Sequence, residues 1–451
     1  MVAYTMPFIK IIALFMFGLM FVVSGAEAGD FNAESFTLEN GLQVVVIPNH
    51  RAPVVTHMIW YKFGGGDGTP GKSGIAHFLE HMMFKGTPDV PGGQFSITVK
   101  KLGGDDNAFT THDATAFYQN IARASLGRVM EMEADRMKNL TLKESEVASE
   151  RQVIVEERRQ RTDNQPQAKF QEQMTSALFV NHAYGIPVIG WMREIKELTR
   201  EDALESYGRW YAPNNAVLVV SGDITAAELR PMAEKYYGGI KPSVLPERIR
   251  PKPAPIVAQH RLTLEDPRIG PPVIIKVYRA PRGSDALEIL TEIFGGSPTS
   301  RLYRVLVVDR KLAVSAGADY NPISLNDATL TLTASPTPDT PLPQLEAALD
   351  AEVRKLTEKG VTLKELRSAK GRKKASLTYY LDSLQGPAML FGRALTGGFD
   401  MDYLENWNGR VGKLSIDDVN KSARAVFSGD NLPVTGILLP QKKPESGGGK
   451  Q

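Results

Sequence analysis

Two histidines and a glutamate stand within one helical turn of each other at His77-Phe78-Leu79-Glu80-His81. On a helix, His77 and His81 share a face, so both imidazoles reach one cation. Glu80, three residues after His77, lies on nearly the same face. It can act as general base on a water at that cation without being a ligand. The order is H-x-x-E-H, the reverse of the zincin motif. The chain has 7 histidines, and a chance match in such a sequence is rare, at roughly the one-percent level. The bland alternative is a solvated helix face that happens to carry two histidines, and other features nearby argue against it.

Two histidines are too few. A catalytic zinc usually takes three protein ligands and leaves one position for water. The helical stretch from Lys143 to Arg161 offers Glu144, Glu146, Glu150, Glu156 and Glu157. Val153 and Ile154 predict its buried face. Glu150 and Glu157, seven apart, flank those residues on one side, whereas Glu156 is turned about 100° from Glu157. Periodicity therefore leaves Glu157 or Glu150 as the inward carboxylate. The other acids read as surface charges, and His50, His57, His112, His182 and His260 read as structural or solvated.

The elements that must position these residues can be traced along the chain. Strand-like runs at Leu42–Ile47 and Val54–Phe63 precede a helix from Ser73 to Lys85, with Ser73 as its N-cap. Asn107–Ile121, rich in Thr, Phe and Tyr, predicts a strand pair. Helices follow at Leu126–Asn139 and Lys143–Arg161, and a buried strand at Ala216–Val220 closes the first half. The proline-rich stretch 241–258 reads as a linker. Beyond it the pattern restarts with a strand at Val273–Tyr278 and helices at Ser284–Phe294 and Ser300–Val308. A strand at Ala328–Ala334 and a helix at Leu345–Lys359 follow. The expected class is α+β, with two homologous α/β sandwiches at 29–240 and 259–442, each a mostly antiparallel mixed sheet under helices. The Gly-rich end, 443–451, reads as a disordered tail.

The bulk composition is that of an ordinary folded protein. Across 451 residues, 42% are hydrophobic, 23% are charged and the net charge is +2. No basic run interleaved with aromatics suggests nucleic acid. Lys10, the apolar run Ile11–Val23 and Ala26-Glu27-Ala28 predict a cleavable export signal over 1–28. The run is shorter than the roughly 20 residues that span a bilayer, so no membrane association is expected after cleavage. The chain has no cysteine. Its stability must come from core burial rather than disulfides, which suits a large protein of the bacterial periplasm.

The stretch from His77 through Met82-Met83-Phe84-Lys85-Gly86-Thr87 resembles the signature of the pitrilysin, or insulinase, family of inverted-motif zinc peptidases. In that family the third ligand is a Glu about 76 residues past the second His, with a helper Glu seven residues before it. The resemblance thus implies His77, His81 and Glu157 as ligands of one zinc ion per chain, Glu80 as the catalytic base and Glu150 as an assisting carboxylate. Asn107-Ala108-Phe109-Thr110 is similar to the family's active-site edge strand, whose backbone pairs with an extended peptide substrate. Tyr184-Gly185 with Pro187, and Tyr211-Ala212-Pro213-Asn214-Asn215-Ala216, resemble its later landmarks. The likeness runs from about residue 34 to 440 and implies the short two-domain branch, clam-like with a partner subunit.

One departure stands out. Active members usually carry, in the second half, an Arg and a Tyr seven residues apart that bind substrate and stabilise the oxyanion. Here both positions are valine, Val307 and Val314, with Arg301, Tyr303 and Arg310 nearby but out of place. Losing such a donor typically costs about 3 kcal/mol of barrier. The expectation is therefore a composite site, in which a homologous subunit supplies the Arg and Tyr as a heterodimer; a homodimer is the other arrangement open. The rival reading is a non-catalytic peptide-binding scaffold with structural zinc, which would need a fourth protein ligand. A His-His-Glu set also accepts manganese or cobalt.

Overall fold

The computed structural model describes residues 29–441. The export signal assigned to 1–28 and the tail at 443–451 lie outside the described residues. The first half is built on strands β1 (Glu34–Thr37), β2 (Gln43–Pro48), β3 (Val54–Tyr61), β4 (Asp105–Thr110), β5 (Thr115–Ala122) and β6 (Ala216–Gly222). They form one sheet in the order β1-β2-β6-β3-β5-β4. Only β2 and β6 pair in parallel. Both are near-continuous apolar runs, Gln-Val-Val-Val-Ile-Pro and Ala-Val-Leu-Val-Val-Ser-Gly, as suits strands buried on two faces.

The second half has β7 (His260–Asp266), β8 (Val273–Ala280), β9 (Ala313–Tyr320), β10 (Ala328–Pro336) and β11 (Val434–Pro440). Their order is β7-β11-β8-β10-β9, again with one parallel pair, β7 with β11. Without β1, the first sheet has the same path and the same parallel step. Duplication of one mixed, mostly antiparallel unit is therefore visible in the topology. β4 and β9 occupy the same edge of their respective sheets.

Each sheet carries its own helices on one face. On the first, Val44, Val46 and Ile59 meet Phe78, Leu79, Met130 and Ile154 from helices Ile75–Met82, Leu126–Asn139 and Glu144–Arg158. On the opposite face the two halves exchange helices. Helix Gly386–Thr396 of the second half lays Ala388, Phe391 and Ala394 on Met58, Trp60, Val217 and Val219 of the first sheet. Helix Pro166–Leu178 of the first half lays Phe170, Met174 and Leu178 on Val277, Val434 and Leu438 of the second. Glycine permits both approaches: a Cβ on Gly392 would stand 2.0 Å from Trp60 Nε1, and one on Gly436 2.2 Å from Met174 Sδ.

Residues 241–259 form no regular element, and their charges are not idle. Arg248 and Arg250 both reach the buried carboxylate of Asp67, at 2.8 Å each, and Arg250 also pairs with Asp113 at 3.2 Å. Tyr184 Oη donates to Asp113 and accepts from the backbone of Leu325 in the second half. The connecting stretch is thus pinned to the first unit.

Three sequence expectations need correction. Ser73 does not cap the first helix. Gly74 does, with φ +83°, a conformation that favours glycine, and Ser73 Oγ instead accepts from the Trp191 backbone. The Glu144–Arg158 helix gives way to a π-turn at Arg159–Asp163 rather than continuing as an α-helix to Arg161. Val153 is 49% exposed, and Val147, Ile154 and Val155 mark the buried face instead.

Candidate metal centre

Helix Ile75–Met82 buries Ile75, Ala76, Phe78, Leu79 and Met82 against the sheet. This apolar pattern turns His77 and His81 onto the neighbouring face, where helix Glu144–Arg158 runs alongside. Glu157, near the end of that helix, directs Oε2 to 3.7 Å from His77 Nε2 and 3.4 Å from His81 Nε2. These three donor atoms lie within 4.8 Å of one another, and they form the one such cluster among the described residues. Glu157 Oε2 is buried without a hydrogen-bond partner, as is His77 Nδ1.

An orphaned buried carboxylate oxygen is costly unless something occupies the space before it. Ligands on a tetrahedral zinc at 2.0–2.1 Å stand about 3.4 Å apart, close to the two spacings from Glu157 Oε2. The residues fit a divalent ion with two imidazoles and one carboxylate oxygen. No fourth protein ligand joins them among the described residues, so a coordination position is left for solvent.

The surrounding charges fit the same purpose. Glu150 Oε1 holds His81 Nδ1 at 2.8 Å, which leaves Nε2 facing inward. Lys85 in turn contacts Glu150 Oε2. Glu157 Oε1 pairs with Arg161 at 2.8 Å. Burial, and then the neighbouring His81, hold the His77 imidazole down to about 4 against the pull of Glu157. Burial also opposes charge on His81, but the carboxylates of Glu150, Glu157 and Glu80 outweigh it and lift that ring to about 9. The neighbouring His81 ring keeps both Glu150 and Glu157 below the usual carboxylate range. Three carboxylates around two rings make a field that attracts positive charge.

Glu80 is almost fully buried beside this cluster but is not part of it. Burial pushes its carboxyl above the usual range, opposed by a 2.6 Å bond from the Thr110 hydroxyl. Thr110 Oγ1 lies 3.2 Å from Thr115 Oγ1, which donates to the Phe63 carbonyl. A base with its pKa raised toward working pH, fixed by one donor, suits proton transfer.

The predicted residues therefore separate by role. His77, His81 and Glu157 converge, Glu150 braces His81, and Glu80 stands alongside. Asn107, Ala108, Phe109 and Thr110 lie on β4, the last strand of the sheet, with no described strand on its outer side. Asn107 is exposed, while Phe109 packs edge-on to Trp60 at 5.2 Å on the far face. Thr110 takes a role not expected for it, since its hydroxyl serves Glu80. Strand alternation would have placed Ala108 and Thr110 on the helix-facing side. Lys85, four residues after His81, and Arg161, four after Glu157, were also legible as same-face neighbours.

The second half's substitutions are equally clear. Val307 packs partly against the core and Val314 is exposed on β9. Arg301 is committed elsewhere: Nε and Nη2 grip the Glu365 carboxylate, and Nη2 also reaches the Gly360 carbonyl.

Comparison with known proteins agrees with this architecture. Residues 43–190 match the family model described as insulinase (peptidase family M16), and residues 197–372 match the peptidase M16 inactive domain. The chain is 31% identical over 423 residues to the zinc protease PqqE of Helicobacter pylori, covering 90% of this chain and 93% of that one. The crystal structure of a protease from Helicobacter pylori superposes with a TM-score of 0.84 at 29% identity, covering 90% of this chain and 99% of the other. The first half of the periplasmic protease PqqL from Escherichia coli shares the fold, with a TM-score of 0.78 at 20% identity over 92% of this chain and 93% of that one. With two such units in tandem and an inverted histidine motif on the first, this chain belongs to the insulinase family, peptidase family M16.

Proposed function

We propose that this chain is an exported zinc metallopeptidase subunit that hydrolyses extended, unfolded peptides. The observation that carries the reading is the convergence of His77, His81 and Glu157 on one point beside a buried Glu80. Zinc held by His77, His81 and Glu157 would supply Lewis-acid chemistry, lowering the pKa of a water to about 7 and polarising the scissile carbonyl. Glu80 takes the proton of the attacking water and delivers it to the leaving amine, while Thr110 holds the carboxylate in place. The free edge of β4 at Asn107–Thr110 offers backbone donors and acceptors to a substrate strand. An added strand must be extended, which favours unfolded peptides over folded proteins.

The site is completed by a homologous subunit that supplies the Arg and Tyr missing at Val307 and Val314. Supporting this, Arg301, one of the cations near those positions, is committed to Glu365. Export to the periplasm rests on the leader at 1–28 and is consistent with the periplasmic relative PqqL.

Glu80→Gln tests the core of the proposal. The variant is expected to bind one equivalent of zinc and lose peptide cleavage by roughly a hundred- to ten-thousandfold, as expected when the proton-transfer group is removed. Full activity in that variant would end the assignment. Adding a homologue that carries the Arg and Tyr but lacks H-x-x-E-H should raise the activity of the wild-type chain.

A further inference from the structure

The two oxygens of Glu157 face different partners. Oε2 points at both histidine Nε2 atoms and makes no hydrogen bond, whereas Oε1 lies 2.8 Å from the guanidinium of Arg161. Arg161 stands in the π-turn Arg159–Asp163 that directly follows the ligand helix. Single π-turns often mark functional positions. Its side chain is 76% exposed, so no packing explains its place. Glu156 pairs separately with Arg159, so Arg161 serves Glu157 and not the helix at large.

A carboxylate can give an ion one oxygen or two. In a His-His-Glu site the choice decides whether the ion is left four-coordinate, with room for water and a substrate oxygen, or is crowded by an extra protein donor. We infer that Arg161 is a positioning residue that occupies Glu157 Oε1 and so restricts this ligand to a single oxygen. An exposed ion pair is weak, but one- and two-oxygen coordination by a carboxylate differ little in energy, so a weak bond suffices to choose. The inference rests on the metal-site reading above and adds to it how the open coordination position is kept.

Cobalt(II) titration of metal-free protein tests it without relying on activity. Wild type is expected to take up one equivalent and show the strong visible absorption of a four-coordinate ion. Arg161→Ala is expected to bind one equivalent with a several-fold loss of that absorption, as the freed Oε1 joins the coordination sphere. Arg161→Lys, which keeps a cation at the same point, should recover most of it. An unchanged spectrum in Arg161→Ala overturns the inference. So does loss of stoichiometric binding in that variant, because the three inward donor atoms do not require Arg161. A wild-type chain that binds no cobalt, with none displaced by zinc, would instead remove the metal site itself.

Discussion

The two units of this chain fold alike and differ in chemistry at one helix. Helix Ile75–Met82 buries Ile75, Ala76, Phe78, Leu79 and Met82; helix Asp285–Phe294 buries Ala286, Leu287, Ile289, Leu290 and Ile293 at the same spacing. In that register His77, Glu80 and His81 correspond to Glu288, Thr291 and Glu292. Glu292 pairs with Arg372, Glu288 accepts from the Trp407 indole at 3.0 Å, and Thr291 bonds back to the Leu287 carbonyl. Where the first unit gathers carboxylates around imidazoles, the second answers its acids with an arginine and an indole. The apolar stripe fixes the helix on its sheet, and the remaining face is free to carry a metal site or a set of polar ties. Fold and chemistry are thus written on different sides of the same helix.

That separation can be broken deliberately. Giving the first unit the second unit's residues, as His77→Glu with His81→Glu, should abolish stoichiometric metal binding and all peptidase activity. Far-ultraviolet circular dichroism should stay unchanged, because no residue of the buried stripe is touched. Loss of fold would show that the two faces are not independent. A smaller effect is expected from Glu150→Gln, which weakens the brace on His81. Such partners typically cost 10–100-fold in metal affinity, measurable by chelator competition.

Smaller still is the effect of Thr110→Val. It should lower kcat about tenfold, in line with losing one hydrogen bond to a charged group, while KM and zinc content stay put. Thr110→Ser should restore the rate; a shift in KM instead would assign Thr110 to substrate contact.

The mildest change belongs to the second unit. Burial pushes Glu365 upward, but Arg301 and the Thr362 cap overcome it and hold its pKa to about 2, below the ordinary 4.5. A depressed carboxylate stabilises the fold above its unfolded pKa and loses that contribution as pH falls through its folded value. The unit should therefore weaken between about pH 4.5 and 2. Because the pair is only partly buried, Glu365→Gln should cost about 1–2 kcal/mol in denaturant unfolding and leave metal binding intact. A flat acid profile in wild type would count against this tie.

The site was more legible than the fold around it. H-x-x-E-H is a local pattern, readable from helical spacing alone; the helix face narrows the third ligand to Glu150 or Glu157, and the family resemblance singles out Glu157. Val153 misled because a β-branched apolar residue in a charged helix suggests burial, yet the adjacent Ile154 fills the core and the turn between them carries Val153 outward. Ser73 misled because a serine before a helix usually caps it, whereas here the backbone crossing with Trp191 needs its hydroxyl. Strands β7 and β11 escaped notice in the linear pattern. His260–Asp266 alternates polar and half-buried residues at a sheet edge, and Val434–Pro440 pairs with a strand more than 150 residues away. Which sheet Gly386–Thr396 covers is a long-range choice that no local periodicity encodes.

The exchange of helices across the two sheets has a mechanical consequence. Each half clasps the other, so bending at the 241–259 stretch would have to strip Phe391 from the first sheet and Phe170 from the second. A protease nick between Lys241 and Pro255 should leave two fragments that migrate together on a sizing column. If the proposed second subunit is present, the gap that admits a polypeptide would have to form between the two chains, and the timing of entry and release would belong to the pair.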